Sequence, residues 1–263
     1  MVEILIWAAL IPSFILIWFI LRQDKIESEP AGLLIKLFIL GALTTFPAAF
    51  PETVGENGIM SITRSKDMQT LLMFLVVVPV AEEGLKYLVL RFGSWKNKAF
   101  NFTFDGIVYA IIVSLGFATL ENLLYVLNYM SLQVAMVRVI LSVPLHCTCG
   151  VFMGYYYGVA KGLEVQGLRD RASFARKLAI AVPWVIHGLY DFAVDSDSVL
   201  VLILGLFMTV VVFIIAARQV RFASKHDTPI YPNIALPDPA HITVHRIRDW
   251  NSKGTRPPSP TKW

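Results

Sequence analysis

Seven ionisable side chains lie inside long apolar stretches of this sequence, where such groups are costly. They are Glu82, Glu83, Lys86, Glu121, His146, His187 and Asp191. An acid or a lysine at the centre of a membrane helix costs about 2.5–3.5 kcal/mol on insertion scales. We therefore expect these groups to face one another or a water-filled cavity.

The spacing of these residues predicts local pairs. Glu82 and Glu83 precede Lys86 by four and three residues, so both carboxylates can reach the ammonium along one helix face. His187 and Asp191 are also four apart, and a carboxylate at this spacing can hold an imidazole in one tautomer. A purely structural explanation remains open, since a buried ion pair or an interhelical hydrogen bond uses the same residues.

Clustered glutamates and histidines are suited to hydrolysis. A hydrolytic zinc ion takes three ligands from His and carboxylate side chains and keeps one position for water. A metal-free site would use a glutamate as general base and a histidine to hold the water or the oxyanion. The motifs H-E-x-x-H and G-x-S-x-G, which mark two other hydrolase classes, do not occur.

The leading hypothesis from these residues is hydrolysis near the membrane surface. Glu82 or Glu83 would act as the base, and Lys86 would neutralise a glutamate. Asp191 would orient His187. If a metal is bound, zinc is the expected ion, and the predicted ligands are Glu83, Glu121, His146 and His187.

The rest of the chain must place these groups in a bilayer. Apolar residues make up 56% of the sequence and charged residues 16%, with a mean hydropathy of +0.62. Apolar runs of roughly 17–25 residues, enough for an α-helix to cross a bilayer, predict an all-α polytopic bundle. The seven expected spans are 3–21, 32–50, 69–91, 106–128, 138–160, 176–194 and 198–217.

The loop charges predict the orientation of the bundle. Basic residues are concentrated in the odd-numbered loops, for example Arg22 and Lys25 in loop one, which predicts that these loops are cytoplasmic. The N-terminus would then lie outside and the C-terminus inside. Arg138 is assigned to the edge of loop four. The net charge of +4 reflects these basic loops, and we expect no nucleic-acid partner.

Two regions are expected along the chain. Residues 1–221 form the predicted transmembrane domain, with the motifs in about 70–195. Residues 222–263 are rich in proline and are expected to form a disordered cytoplasmic tail.

Four motifs in order resemble the PrsW family of intramembrane proteases. They are Glu82-Glu83-x-x-Lys86, Phe117-x-x-x-Glu121-Asn122, His146 and His187-x-x-x-Asp191. The string Asp105-Gly106-Ile107-Val108-Tyr109 is also similar to the family pattern. A related group of CAAX and bacteriocin-processing proteases has histidine and asparagine where this chain has Glu121 and Asp191, which favours PrsW.

The resemblance implies a multi-pass protease of the bacterial plasma membrane, described as metal-dependent by inference. The expected substrate is a membrane protein with a single span, and one such substrate in the family is a membrane-anchored anti-sigma factor, cut first on the extracytoplasmic side.

Two other classes of function remain open from the residues alone. A proton- or ion-coupled transporter would use the same carboxylates as a relay, although the sequence has no internal repeat of the transporter kind. A seven-helix sensor or scaffold would use them only for structure.

Overall fold

The computed structural model describes residues 2–232, and ten α-helices with one short π-helical segment account for most of them. The first five helices are α1 (Val2–Leu21), α2 (Ala31–Leu43), α3 (Thr45–Ile62), α4 (Lys66–Leu72) and α5 (Val78–Ser94), with the π segment Met73–Val77 between α4 and α5. The others are α6 (Asp105–Tyr129), α7 (Leu132–Ile140), α8 (Ser142–Val165), α9 (Arg169–Asp195) and α10 (Val199–Lys225).

Six helical stretches are long and apolar enough to cross a membrane. They correspond to six of the seven predicted spans, and the all-α polytopic bundle is confirmed. The stretch Ala31–Ile62 joins α2 to α3, and Leu132–Val165 joins α7 to α8. The predicted third span, 69–91, corresponds to α4, the π segment and α5. This stretch is divided by the π segment and carries three charged residues, Glu82, Glu83 and Lys86.

Helix α6 forms the centre of the bundle. Its residues from Asp105 to Thr119 are all buried, between α8 on one side and α1 and α2 on the other. Glycines allow close contact with α8: a Cβ on Gly106 would lie 2.7 Å from the carbonyl oxygen of Gly154. Small residues bring membrane helices together in this way, because lipid provides no hydrophobic drive for their association.

Large apolar side chains cover the outside of the bundle. Trp7 and Trp18 on α1 are about three-fifths exposed, and Ile203 and Phe207 on α10 are 58% and 68% exposed. On a soluble protein, large exposed apolar side chains that form a continuous patch would promote aggregation. Here it is the surface expected to contact lipid.

The connecting segments alternate between the two ends of the bundle. Residues 22–30, 95–104 and 226–232 meet at one end, where Ser224 donates a 2.6 Å hydrogen bond to the carbonyl oxygen of Gln23. Loop one, loop three and the segment after α10 therefore share one end of the bundle. That this end faces the cytoplasm stays a prediction from its basic residues.

The end of the described chain packs onto this face. Helix α10 continues to Lys225, and the amide N–H of Ile230 donates a 2.7 Å bond to the carbonyl oxygen of Asn101. The side chain of Ile230 is buried. The rest of the predicted tail, residues 233–263, lies outside the described residues, and the domain boundary at 221 stays a prediction.

Candidate active site

Four helices bring the predicted residues together. Glu82, Glu83 and Lys86 lie on α5, His146 lies near the start of α8, and His187 lies in the second half of α9. All five side chains are buried. Glu121 on α6 and Asp191 on α9 lie at the edge of this group and are partly exposed. All seven residues chosen from the sequence therefore belong to one connected cluster.

A π segment sets the position of α5. Pro79 has no N–H, so the carbonyl oxygen of Leu75 loses its usual helical donor. The indole Nε1 of Trp184 on α9 donates to this oxygen at 2.7 Å. Gly188 lies close by, and a Cβ there would lie 3.0 Å from the carbonyl oxygen of Phe74. This contact holds α9 against the start of α5, which brings His187 beside the two glutamates.

Lys86 lies at the centre of the cluster. Its Nζ donates to Oε1 of Glu83 at 2.7 Å and to Oε2 of Glu82 at 3.1 Å, as the sequence spacing predicted. It also lies 4.0 Å from the ring centroid of Phe117. The side chain is fully buried, and two carboxylates with an aromatic face offset the cost of removing its charge from water.

The contacts of His146 define its tautomer. Its Nδ1 lies 3.1 Å from Nζ of Lys86, and its Nε2 lies 3.0 Å from Oε2 of Glu121. An ammonium can only donate, so Nδ1 must accept, and Nε2 carries the proton that it donates to the carboxylate. The lone pair of His146 therefore points into the cluster, and Glu121 supports the imidazole from behind.

His187 lies between two carboxylates. Its Nδ1 is 3.0 Å from Oε1 of Glu83, and its Nε2 is 3.2 Å from Oδ2 of Asp191. The contact with Asp191 is the one that their four-residue spacing predicted. The rings of His187 and His146 meet edge to face, with centroids 5.0 Å apart.

One oxygen at the centre of the site has no hydrogen-bond partner among the described residues. Oε2 of Glu83 is buried and accepts no hydrogen bond from the described residues, whereas Oε1 accepts from Lys86 and contacts His187. A buried carboxylate oxygen without a donor is costly and is uncommon in native structures. A water, a metal ion or a substrate group would satisfy it.

Two charged residues escaped the sequence reasoning. Arg138 lies on α7 rather than at a loop edge, and its NH2 is 2.6 Å from Oε2 of Glu121. Its Nε donates to Oδ1 of Asn122 at 3.1 Å. Glu52 on α3 lies within electrostatic reach of Glu121 and Asp191. Each of these charges interrupts an otherwise apolar run, and that was the signal in the sequence. Arg138 was instead assigned to the edge of a loop, and Glu52 was not considered.

The donor atoms suit a metal ion. Glu82, Glu83, His146 and His187 each offer one ligand atom, and these atoms lie within 4.8 Å of one another. Two carboxylates and two imidazoles are ligands typical of hydrolytic zinc. The Nδ1 lone pair of His146, which accepts from Lys86 in this structure, and the oxygen of Glu83 that lacks a partner among the described residues both point into this group. Compared with the set predicted from the sequence, Glu82 belongs to this group, and Glu121 lies behind His146.

Comparison with known proteins identifies the family to which this chain belongs. A family profile described as PrsW family intramembrane metalloprotease matches residues 29–217, which include every residue of the cluster. The chain belongs to the PrsW family of intramembrane proteases. It is therefore a peptidase, and the family assignment favours that hypothesis over the transporter and scaffold alternatives.

Similar proteins come from several bacteria. Protease PrsW of Oceanobacillus iheyensis is 34% identical over 224 residues, which are 83% of this chain and 95% of the relative. Protease PrsW of Bacillus subtilis is 32% identical over 198 residues, or 74% of this chain and 84% of the relative. Protease PrsW of Geobacillus kaustophilus is 31% identical over 227 residues, or 86% and 94%. No solved structure matches this chain. The bacterial relatives and the membrane helices identify a multi-pass protein of the bacterial plasma membrane.

Proposed function

We propose that this PrsW-family protease cuts a single-span membrane protein near the outer face of the membrane, and that the cut is the first step in releasing a membrane-anchored anti-sigma factor. The depth of the cluster supports this proposal. Glu121, His187 and Asp191 lie in the halves of their helices that end at the even-numbered loops. These loops are poor in basic residues, which favours the extracytoplasmic side.

Glu83 is the proposed general base. Its unpartnered Oε2 would take a proton from the attacking water, whose oxygen adds to the carbonyl carbon of the scissile bond. The tetrahedral intermediate then collapses, the C–N bond breaks, and the proton passes from Glu83 to the leaving amine. Lys86 and His187 provide positive charge and N–H donors beside the developing oxyanion.

Asp191 and Glu121 are proposed to position the two imidazoles. Asp191 contacts Nε2 of His187, and Glu121 accepts from Nε2 of His146 while it pairs with Arg138. Carboxylates behind histidines fix ring orientation and tautomer in many hydrolytic sites.

In the alternative, metal-dependent scheme, Glu82, Glu83, His146 and His187 would hold a zinc ion, and His187 would then serve as a ligand rather than as a donor to the oxyanion. When bound, zinc polarises the scissile carbonyl and lowers the pKa of water. Lys86 contacts Nδ1 of His146 in this structure, so the ammonium and a metal ion compete for the same lone pair. Metal content of the purified wild-type chain and of the His146→Ala variant tests this assignment: stoichiometric zinc in the first and its loss in the second are expected. Full activity of metal-free protein would contradict it.

Mapping the cut tests the proposed function. The full chain would be reconstituted in liposomes with single-span proteins, including a membrane-anchored anti-sigma factor, and the fragments identified by mass spectrometry. We expect a cut at the extracytoplasmic end of the substrate span. His187→Ala should abolish it, and His226→Ala, a change at an exposed histidine near the end of α10, should not. A cut on the cytoplasmic side, or unchanged cutting by His187→Ala, would overturn the proposal.

A further inference from the structure

A second group of carboxylates lies at the opposite end of α6. Asp24 and Glu29 belong to the segment between α1 and α2, and Asp105 is the first residue of α6. One oxygen from each lies within 4.8 Å of the others. Asp105 precedes Glu121 by 16 residues, so this group is about 24 Å from the candidate active site at a helical rise of 1.5 Å per residue. The peptidase site does not use these residues.

Among the described residues, no lysine or arginine side chain forms an ion pair with these carboxylates, two of which are buried. Asp105 is 1% exposed and Glu29 is 9% exposed. Within residues 2–232, the ion pairs made by lysine and arginine side chains go to other carboxylates. The pKa of Asp24 and that of Glu29 are each raised to about 7, chiefly by burial, and the negative charge of Glu29 contributes to the rise at Asp24. Three acidic groups packed so closely need bound cations or protons to offset their charge.

Hydrogen bonds satisfy only part of the cluster. Oδ2 of Asp105 accepts from the backbone N–H groups of Asn101 and Phe102, at 2.9 and 2.7 Å. Oε2 of Glu29 accepts from the hydroxyl of Tyr109. Oε1 of Glu29 and Oδ2 of Asp24 are buried and have no hydrogen-bond partner among the described residues. Two oxygens of one acidic cluster are therefore available to a ligand that can accept their lone pairs.

We propose that Asp24, Glu29 and Asp105 bind a hard divalent cation, magnesium or calcium, at the end of the bundle opposite the candidate active site. The donors offered by these residues are all oxygens, which suit hard cations rather than zinc. Three carboxylate oxygens leave positions for water in an octahedral magnesium site, and bidentate carboxylates would raise the ligand number toward that of calcium.

The position of the cluster assigns the cation a structural role. Asp227 follows α10, and its Oδ1 accepts from Oγ1 of Thr103 at 3.0 Å and from the backbone N–H of Phe104 at 2.9 Å. The segment after α10 is thus attached directly beside Asp105. A cation bound to Asp24, Glu29 and Asp105 would tie the first loop to the start of α6, where the end of the described chain is also anchored.

Thermal unfolding of the full chain in detergent is the primary test. The protein would be freed of metal with a chelator, then titrated with magnesium or calcium chloride against choline chloride of equal ionic strength, which controls for charge screening. We expect a saturable rise in Tm of roughly 5 °C or more with the divalent salts, because a ligand that binds only the folded state stabilises it.

Matched variants locate the response. Glu29→Gln keeps an acceptor for Tyr109 but removes the charge, so the metal-free variant should unfold at the wild-type Tm or above and should lose the divalent response. Asp24→Asn should behave in the same way. Glu27→Gln, a change in the same segment but outside the cluster, should keep the full response.

Binding can also be read directly with terbium, a hard cation that emits when a nearby phenol is excited. Tyr109 contacts Glu29 and is positioned to sensitise it. In the wild type and in Glu27→Gln, calcium should displace the bound terbium and so reduce its emission. In Glu29→Gln, terbium emission that calcium can reduce should be absent. The proposal is overturned if divalent and choline salts give the same Tm, as expected for carboxylates that only share protons, or if Glu29→Gln responds like Glu27→Gln.

Discussion

The ammonium of Lys86 lies 3.1 Å from Nδ1 of His146 and so joins α5 to α8 at the centre of the bundle. The same ammonium donates to Glu83 at 2.7 Å. The contact with His146 sets the tautomer of that imidazole, because an ammonium has no lone pair to offer. Lys86 is therefore both the counter-ion of the glutamates and the group that orients a histidine.

Replacement of Lys86 by methionine should destabilise the protein strongly. It leaves Glu82 and Glu83 buried without their counter-ion, and breaking a buried pair on one side costs about 3–5 kcal/mol. Thermal unfolding in detergent measures the change. Lys177→Met, a change at an exposed lysine of α9, is the control and should have little effect. Adding Glu82→Gln to Lys86→Met should restore part of the loss; equal stability of Lys86→Met and Lys177→Met would contradict the assigned role.

Arg138 and Glu121 should act as one unit in catalysis. Both support His146, since Glu121 accepts from its Nε2 and Arg138 holds Glu121 in place. Loss of such a supporting group typically costs about 10–100-fold in activity. Glu121→Gln, Arg138→Met and the double variant would be compared by initial cleavage rate. We expect the double variant to be little worse than either single change, whereas multiplied effects would show that the two side chains act independently.

The sequence alone predicted the composition of the site better than its internal geometry. Residues at i, i+3 and i+4 on one helix must share a face, so the contacts of Lys86 with Glu82 and Glu83, and of His187 with Asp191, followed from spacing. Contacts between helices depend on rotation and depth, which spacing does not determine.

Three features of the structure illustrate that limit. Arg138 was assigned to a loop edge because the fifth span was predicted to begin at residue 138, whereas α7 begins at Leu132. The π segment at Met73–Val77 changes the rotation of α5 about its axis, and the periodicity of the sequence does not predict this change. The role of Trp184 as donor to Leu75 follows only from that irregularity.

Trp184→Phe should lower stability by removing one hydrogen bond. The carbonyl oxygen of Leu75 would be left without the indole donor, and a buried unsatisfied acceptor costs about 1–3 kcal/mol. Phenylalanine keeps much of the apolar surface, so packing changes little. Trp7→Phe is the matched control, because Trp7 is 61% exposed on the outside of α1. Unfolding in detergent should separate the two variants; the same small shift for both would show that the bond to Leu75 is not needed.

The most direct test of the account is the cleavage rate of the Glu83→Gln variant in liposomes with a single-span substrate. Glutamine preserves the size of the side chain but cannot accept a proton, so loss of the general base should lower the rate by at least about 100-fold. Glu56→Gln, at an exposed glutamate of α3, should cut at the wild-type rate. The account is contradicted if folded, membrane-inserted Glu83→Gln cuts the same bond within a factor of about two of the Glu56→Gln rate, a margin far below the contribution expected of a general base.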